Sequence, residues 1–205
     1  MSLTAKTVND LLDAFASNAP TPGGGSAAAL SGAIGASLLA MVASLPKTKT
    51  GDVKERETLD VSAASLNRLR ATLTTLVDED TRSYDLVTAA YKNPKGTDEE
   101  KAARTQSIQA GLRAATATPL ETMRACDAVI REAACVAQNG NPSALSDVWV
   151  GVELAIAGLR GAERNVAINL PGLSDEAFKE EVASEAAALL TSAGEQAEIC
   201  RKLLN

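Results

Sequence analysis

The sequence predicts an all-α fold, a single bundle of about seven helices spanning residues 1–205 with two apolar helices at its centre. Three observations carry this. Aromatic residues make up only 2 % of the chain while alanine and leucine abound, a composition that favours helices packed closely through small side chains. Apolar residues recur at three- and four-residue spacing in segment after segment. No stretch shows the strict apolar–polar alternation of a half-buried strand. The length of 205 residues fits one domain with ample chain to bury a core, and neither a long linker nor an internal repeat divides it.

The first helix is expected over Thr4 to Ser17, where Val8, Leu11, Leu12 and Phe15 share one face. Asn18 to Gly25 ends it. Here Pro20 and Pro22 fix the backbone, and Gly23-Gly24-Gly25 allow positive φ and the close approach of another molecule. Ser26 is placed to cap the second helix, Ser26 to Leu45, which is apolar nearly all round and therefore central. Ala28, Gly32 and Ala36 set small side chains one turn apart, inviting a helix of this or a second subunit. The segment is long enough to span a bilayer, but it is rich in Gly, Ser and Ala and no second such span is apparent, so it reads as a bundle helix rather than a membrane one.

Pro46 stops that helix, and Lys47 and Lys49 fall in the short loop after it. Asp52 with Glu55 reads as a capping box opening a long helix to Tyr91. Asp80 lies on its apolar stripe between Leu76 and Tyr84, where a carboxylate is costly unless it is paired, hydrogen-bonded or at a wet site. Asn93-Pro94-Lys95-Gly96 breaks the chain, Thr97 and Glu100 make a second capping box, and a polar helix runs to Thr118. Pro119 is expected to start a further helix. Its seam of Leu120, Met123, Ile130 and Ala134 contains Asp127, which either sits on the seam or rotates outward to Arg131. After Gly140-Asn141-Pro142, Asp147 stands in the first turn of the second apolar helix, which ends near Leu170 and carries Asn165 and Asn169 one turn apart. Ser174 caps a last, outer helix.

Composition excludes several functions. The net charge of −6 argues against a general nucleic-acid binder, which needs a basic face. No histidine occurs, which removes Ser-His-Asp and Cys-His catalysis and most zinc chemistry. Proton transfer then falls to Asp, Glu, Lys, Tyr, Cys or water. Cys126, Cys135 and Cys200 are odd in number and widely spaced, and read as buried free thiols of a reducing compartment. No basic segment followed by an apolar core opens the chain, so a cytoplasmic location is expected. A glycine-rich loop running into a helix start is either a tight turn or an anion-binding site, and it matches neither a Walker loop nor a GxGxxG fingerprint.

The run Pro20-Thr21-Pro22-Gly23-Gly24-Gly25-Ser26 with its small-residue helix resembles the opening of the cyclodeaminase/cyclohydrolase family. Asp78-Glu79-Asp80 with Tyr84-Asp85, Ala115 to Leu120, and Gly140-Asn141-Pro142 through Asp147 with Asn165 and Asn169 extend the resemblance over nearly the whole chain. Pro46 to Gly51 departs from it: the lysines are separated by Thr48 where the family carries adjacent ones. The resemblance implies an enzyme acting on a tetrahydrofolate derivative without a further cofactor; the small-residue second helix makes a homodimer the expected state, and the composition points to no metal, nucleic acid or membrane. The resemblance implies hydrolysis of 5,10-methenyltetrahydrofolate to 10-formyltetrahydrofolate, or alternatively ring closure of 5-formiminotetrahydrofolate with loss of ammonia. A non-catalytic dimeric bundle that binds a small molecule is the remaining reading. The enzyme reading assigns catalysis to Asp80 or Asp147 as the proton-handling carboxylate, with Lys49. Substrate binding falls to Pro22, Gly23, Gly24, Gly25, Ser26, Lys47, Tyr84, Asn165 and Asn169.

Overall fold

Small side chains decide how the helices meet. In the computed structural model, which describes residues 2–204, the chain forms six α-helices: α1 (Val8–Ala16), α2 (Gly24–Ala43), α3 (Val53–Tyr91), α4 (Asp98–Asn139), α5 (Leu145–Asn169) and α6 (Glu176–Leu204). Single 3-10 turns lie at Leu3–Ala5, Pro142–Ala144 and Leu170–Gly172, and no strand occurs among the described residues. The helices α2 to α6 run alternately up and down, and α2 and α5 pack most extensively.

Their contact explains the glycines. A Cβ on Gly35 would come within 2.6 Å of the Gly151 carbonyl oxygen, and one on Gly158 within 2.7 Å of the Ala28 carbonyl oxygen. The two backbones therefore touch in a way that only glycine permits. The small-residue face of α2 thus meets α5 of the same chain, not a second subunit. Around this pair Leu39, Leu59, Leu66, Leu73, Met123, Ile130 and Leu159 are fully buried and close the core. By length and composition both Gly24–Ala43 and Pro142–Gly172 could cross a membrane, so the sequence held a second such segment after all. Here both pack into the bundle.

The expected seven helices become six because Pro119 lies inside α4 instead of starting a new helix. The Thr97–Glu100 capping box forms as expected. Asp52 caps α3, but Glu55 reaches past it to the Thr50 and Gly51 N–H groups. At α6 the cap is Asp175, which accepts from the Phe178 N–H at 3.1 Å, while Ser174 is held through its N–H and hydroxyl by Gln109. Ser26 does not cap α2. That helix starts two residues earlier, at Gly24, and Gly23 at the cap position offers no side chain.

Candidate functional site

The missing cap of α2 is supplied from another helix. The Asp80 carboxylate on α3 accepts from the Ser26 hydroxyl at 2.9 Å and from the Ser26 backbone N–H. It sits directly against the helix start, so a Cβ on Gly25 would lie 2.0 Å from Asp80 Oδ1. None of the three glycines uses a positive φ; Gly51 does so instead, in the loop before α3. Their value is close approach, and Gly25 is glycine because a carboxylate occupies the space of its side chain. Ser26 is wholly buried, so its two hydrogen bonds to Asp80 are screened from water.

Asp80 is the third of three consecutive acids with three fates. Burial works against the Asp78 charge, but the Ser2 hydroxyl at 2.6 Å and the Leu3 N–H at 2.6 Å hold its carboxyl below the usual value, which ties the N-terminal segment to α3. Glu79 pairs with Arg82 on the surface. For Asp80, burial dominates and raises the carboxyl above its ordinary value despite the opposing Ser26 hydrogen bonds. No Lys or Arg of the described residues pairs with it within the chain.

A cleft of about 340 Å³ opens over this carboxylate. Its floor and walls are Gly23, Gly24 and Gly25 at the start of α2, Asp80, Ser83, Tyr84 and Val87 on α3, Ala115 on α4, and Asn165, Ile168 and Asn169 on α5, with Pro20 and Thr21 at one lip. The N–H groups of Gly24 and Gly25, at the first two positions of α2, have no intrahelical acceptor. Asn165 donates to the Gly161 carbonyl and Asn169 to the Ala115 carbonyl, both at 2.8 Å. Tyr84 and Ile168 leave apolar surface exposed at the mouth. The cleft joins an uncompensated carboxylate, backbone donors, amide groups and flat apolar surface. It can hold a polar heterocycle and exchange a proton with it.

Within one chain the structure brings together Gly23, Gly24, Gly25, Ser26, Asp80, Tyr84, Asn165 and Asn169 of the expected residues. Pro22 faces the adjoining hollow with Asp78 and Asp85. Lys47, Lys49 and Asp147 do not reach this cleft. Asp147 opens α5 and Asn165 lies eighteen residues further along it, about 27 Å of helix. The lysine loop follows the opposite end of α2, where the Lys49 N–H donates to the Asn139 carbonyl at 2.9 Å. Glu55 builds that loop: it accepts from Thr48, Thr50 and Gly51, and these bonds, the Thr48 hydroxyl first, hold its carboxyl down at about 2. Asp127 is buried away from the cleft between Arg131 and Ser192, at 2.8 and 2.7 Å. Burial raises the Cys126 thiol to about 12 and the Cys200 thiol to about 11, leaving both protonated and inert.

Sequence reasoning missed Ser83, Val87, Ile168 and Ala115. Ser83 and Val87 lie three and seven residues from Asp80, and Ile168 three from Asn165, so the helical period from the chosen residues would have found them. Ala115 lies on no such period; its only signal was its place at the head of the run to Leu120 that carries part of the family resemblance.

Fold and site together define a class: an all-α bundle whose cleft sets a carboxylate against a glycine-rich helix start. The particular family follows from comparison with known proteins. The family model described as formiminotransferase-cyclodeaminase matches residues 7–188, and the chain belongs to that family. It is 47 % identical to the methenyltetrahydrofolate cyclohydrolase of Methylorubrum extorquens, over 92 % of this chain and 91 % of that protein. It is 38 % identical to the formimidoyltransferase-cyclodeaminase of Rattus norvegicus over 86 % of this chain, but spans only 32 % of that longer protein. The crystal structure of formiminotetrahydrofolate cyclodeaminase from Thermotoga maritima superposes with a TM-score of 0.87 at 25 % identity, covering 98 % of this chain and 96 % of that one.

Proposed function

We propose that the chain hydrolyses 5,10-methenyltetrahydrofolate to 10-formyltetrahydrofolate. The observation that carries this reading is Asp80, a carboxylate raised by burial and unpaired within the chain, at the wall of a cleft of heterocycle size. The substrate's N5–CH–N10 bridge is an amidinium cation, which such a carboxylate attracts. Asp80 takes one proton from a water as its oxygen bonds to the bridge carbon, making that carbon tetrahedral between the two nitrogens. The proton then passes to N5 as the carbon–N5 bond breaks. The new hydroxyl loses its proton to solvent as the formyl carbonyl forms on N10, so one proton is released per turnover. The match to the cyclohydrolase relative over nearly its full length supports this reading. The likeness to the Thermotoga maritima cyclodeaminase favours a second one, in which N10 closes on a formimino carbon and protonated Asp80 gives its proton to departing ammonia.

The reading includes a homodimer. Leu30, Ile34 and Met41 form an apolar edge along α2, with Ile34 44 % and Met41 40 % exposed. Ile34 lies near the midpoint of α2. A two-fold axis there sets two copies of α2 antiparallel and carries each C-terminal end to the other chain's N-terminal end. Lys47 and Lys49 of the partner subunit would then stand by the cleft, beside an Asp80 that has no cation of its own. That arrangement gives Lys49 and Lys47 their roles in proton transfer and in holding the anionic tail of a folate, and brings Asp147 to the same boundary.

The test follows the methenyl chromophore on adding purified protein to 5,10-methenyltetrahydrofolate. Accelerated loss over the uncatalysed rate is expected. No acceleration there, with appearance of the same chromophore from 5-formiminotetrahydrofolate, would move the assignment to ring closure. Tetrahydrofolate binding with neither reaction would leave a binding bundle.

A further inference from the structure

Behind the cleft wall lies a proline that does not line the cleft itself. Pro119 lies within the continuous helix α4. A proline has no N–H to give the carbonyl four residues back, and its ring pushes that carbonyl aside. The carbonyl is Ala115's, and Ala115 lines the cleft. Asn169 takes the vacant place: its Nδ2 donates to the Ala115 oxygen at 2.8 Å and to the Asn165 oxygen at 3.0 Å. Both amide hydrogens are spent on carbonyls, which can only accept. The amide cannot rotate by half a turn without setting its own oxygen against two others. Among the described residues, no protein donor serves the Asn169 Oδ1. Asn165 is held more simply, by one bond from its Nδ2 to the Gly161 oxygen a turn back on its own helix.

We propose that Pro119 is a positioning residue for substrate recognition: by freeing the Ala115 carbonyl it clamps the Asn169 amide, leaving its oxygen as a fixed acceptor for a ring edge that presents N–H donors. Resting on the folate reading above, that edge is the 2-amino and lactam N–H side of the pterin. With the Asn165 oxygen beside it, this wall then selects a donor edge and disfavours a ring presenting only acceptors there, which leaves Asp80 to the bridge.

Pro119→Ala tests this. Alanine restores an N–H that competes with Asn169 for the Ala115 oxygen, and it is the better helix former. The expected result is a KM for 5,10-methenyltetrahydrofolate raised about threefold to tenfold, the worth of one neutral hydrogen bond. The kcat should change by less than about twofold, and the melting temperature should hold or rise. Asn169→Ala raises KM alike, and adding Pro119→Ala to it has no further effect on KM. Additive effects, or a KM unmoved by Pro119→Ala, would overturn the proposal. One readout needs no folate. The side-chain NH2 signals of Asn169, identified by their loss in Asn169→Ala, should exchange slowly with water in the native protein and faster in Pro119→Ala. Unchanged exchange overturns the clamp whatever the substrate. Faster exchange in a protein that ignores folates would keep the clamp and reject the pterin as its target.

Discussion

Two carboxylates stand where apolar side chains belong, Asp80 on α3 and Asp127 on α4, and the structure treats them oppositely. Asp127 is the more deeply buried, 4 % exposed, yet it is fully matched. Arg131 and Ser192 each hold one of its oxygens, and Arg131 also donates to the Ser192 hydroxyl at 2.8 Å. It fastens α6 to α4. Asp80 is less buried and accepts two hydrogen bonds from Ser26, but no cation of its own chain answers its charge. Depth of burial alone does not mark a working carboxylate. An unanswered charge beside an open cleft is what sets Asp80 apart as the candidate, because its protonation state is still available to a ligand.

Mutation can break this contrast. Asp80→Asn keeps an acceptor for Ser26 but removes the base, and kcat/KM should fall by about 10²- to 10⁴-fold with melting unchanged or raised. Asp127→Asn should leave kcat/KM within about twofold while lowering stability. Full activity in Asp80→Asn, or its loss in Asp127→Asn without unfolding, would reverse the assignment.

A second pair sharpens the contrast at the backbone. Gly25→Ala drives a methyl into the Asp80 carboxylate and should cost a large part of the activity lost in Asp80→Asn. Gly24→Ala meets nothing nearer than Asn165 Nδ2 at 3.7 Å, so it should leave Asp80 in place and cost less, through KM rather than kcat. Circular dichroism with the chromophore assay checks both.

Mixing inactive Asp80→Asn with inactive Lys49→Ala tests where the missing cation comes from. If Lys49 of the partner subunit completes the cleft, random re-pairing of dimers restores about a quarter of native activity, since half of the dimers are mixed and each holds one intact site. No recovery would confine the site to one chain.

Smaller effects follow. Asp127→Ala should cost about 1–3 kcal/mol, a melting shift of roughly 2–4 °C per kcal/mol at this chain length, read by thermal denaturation. The pH dependence is signed by burial. The folded protein binds the Asp80 proton more tightly than the unfolded chain, so this group's contribution to stability is present below its unfolded value, near 3.8, and is lost as pH rises through the raised one. Over the same interval kcat/KM should increase with pH, because the base is the ionised form. Asp80→Asn should abolish both slopes.

Much of this site was legible in the sequence. Asp80 stood out as an acid on a leucine stripe, Asn165 and Asn169 as amides one turn apart, and the glycines as a place of close approach. Each reading used spacing within one helix. Where the reading failed, it had crossed between helices. Ser26 looked like its own helix's cap, because the Asp80 carboxylate that fills that role is 54 residues away. Pro119 looked like a helix start, because its cost inside α4 is relieved from another helix, by an Asn169 that lies 54 residues beyond the Ala115 carbonyl it serves. Asp147, Lys47 and Lys49 lie at the other end of the bundle within one chain, so spacing along a helix has no bearing on them and their part in the site turns on a second subunit.

By itself the sequence determined the helices, their apolar faces and several of their caps. These depend on hydrogen bonds and contacts that close within four residues and so carry a local period. Only the tertiary structure decided which helix end faces which. That choice is made by the direction and register of packing, set where glycine lets α2 and α5 touch, and it put one carboxylate beside a cleft and the other beneath an arginine.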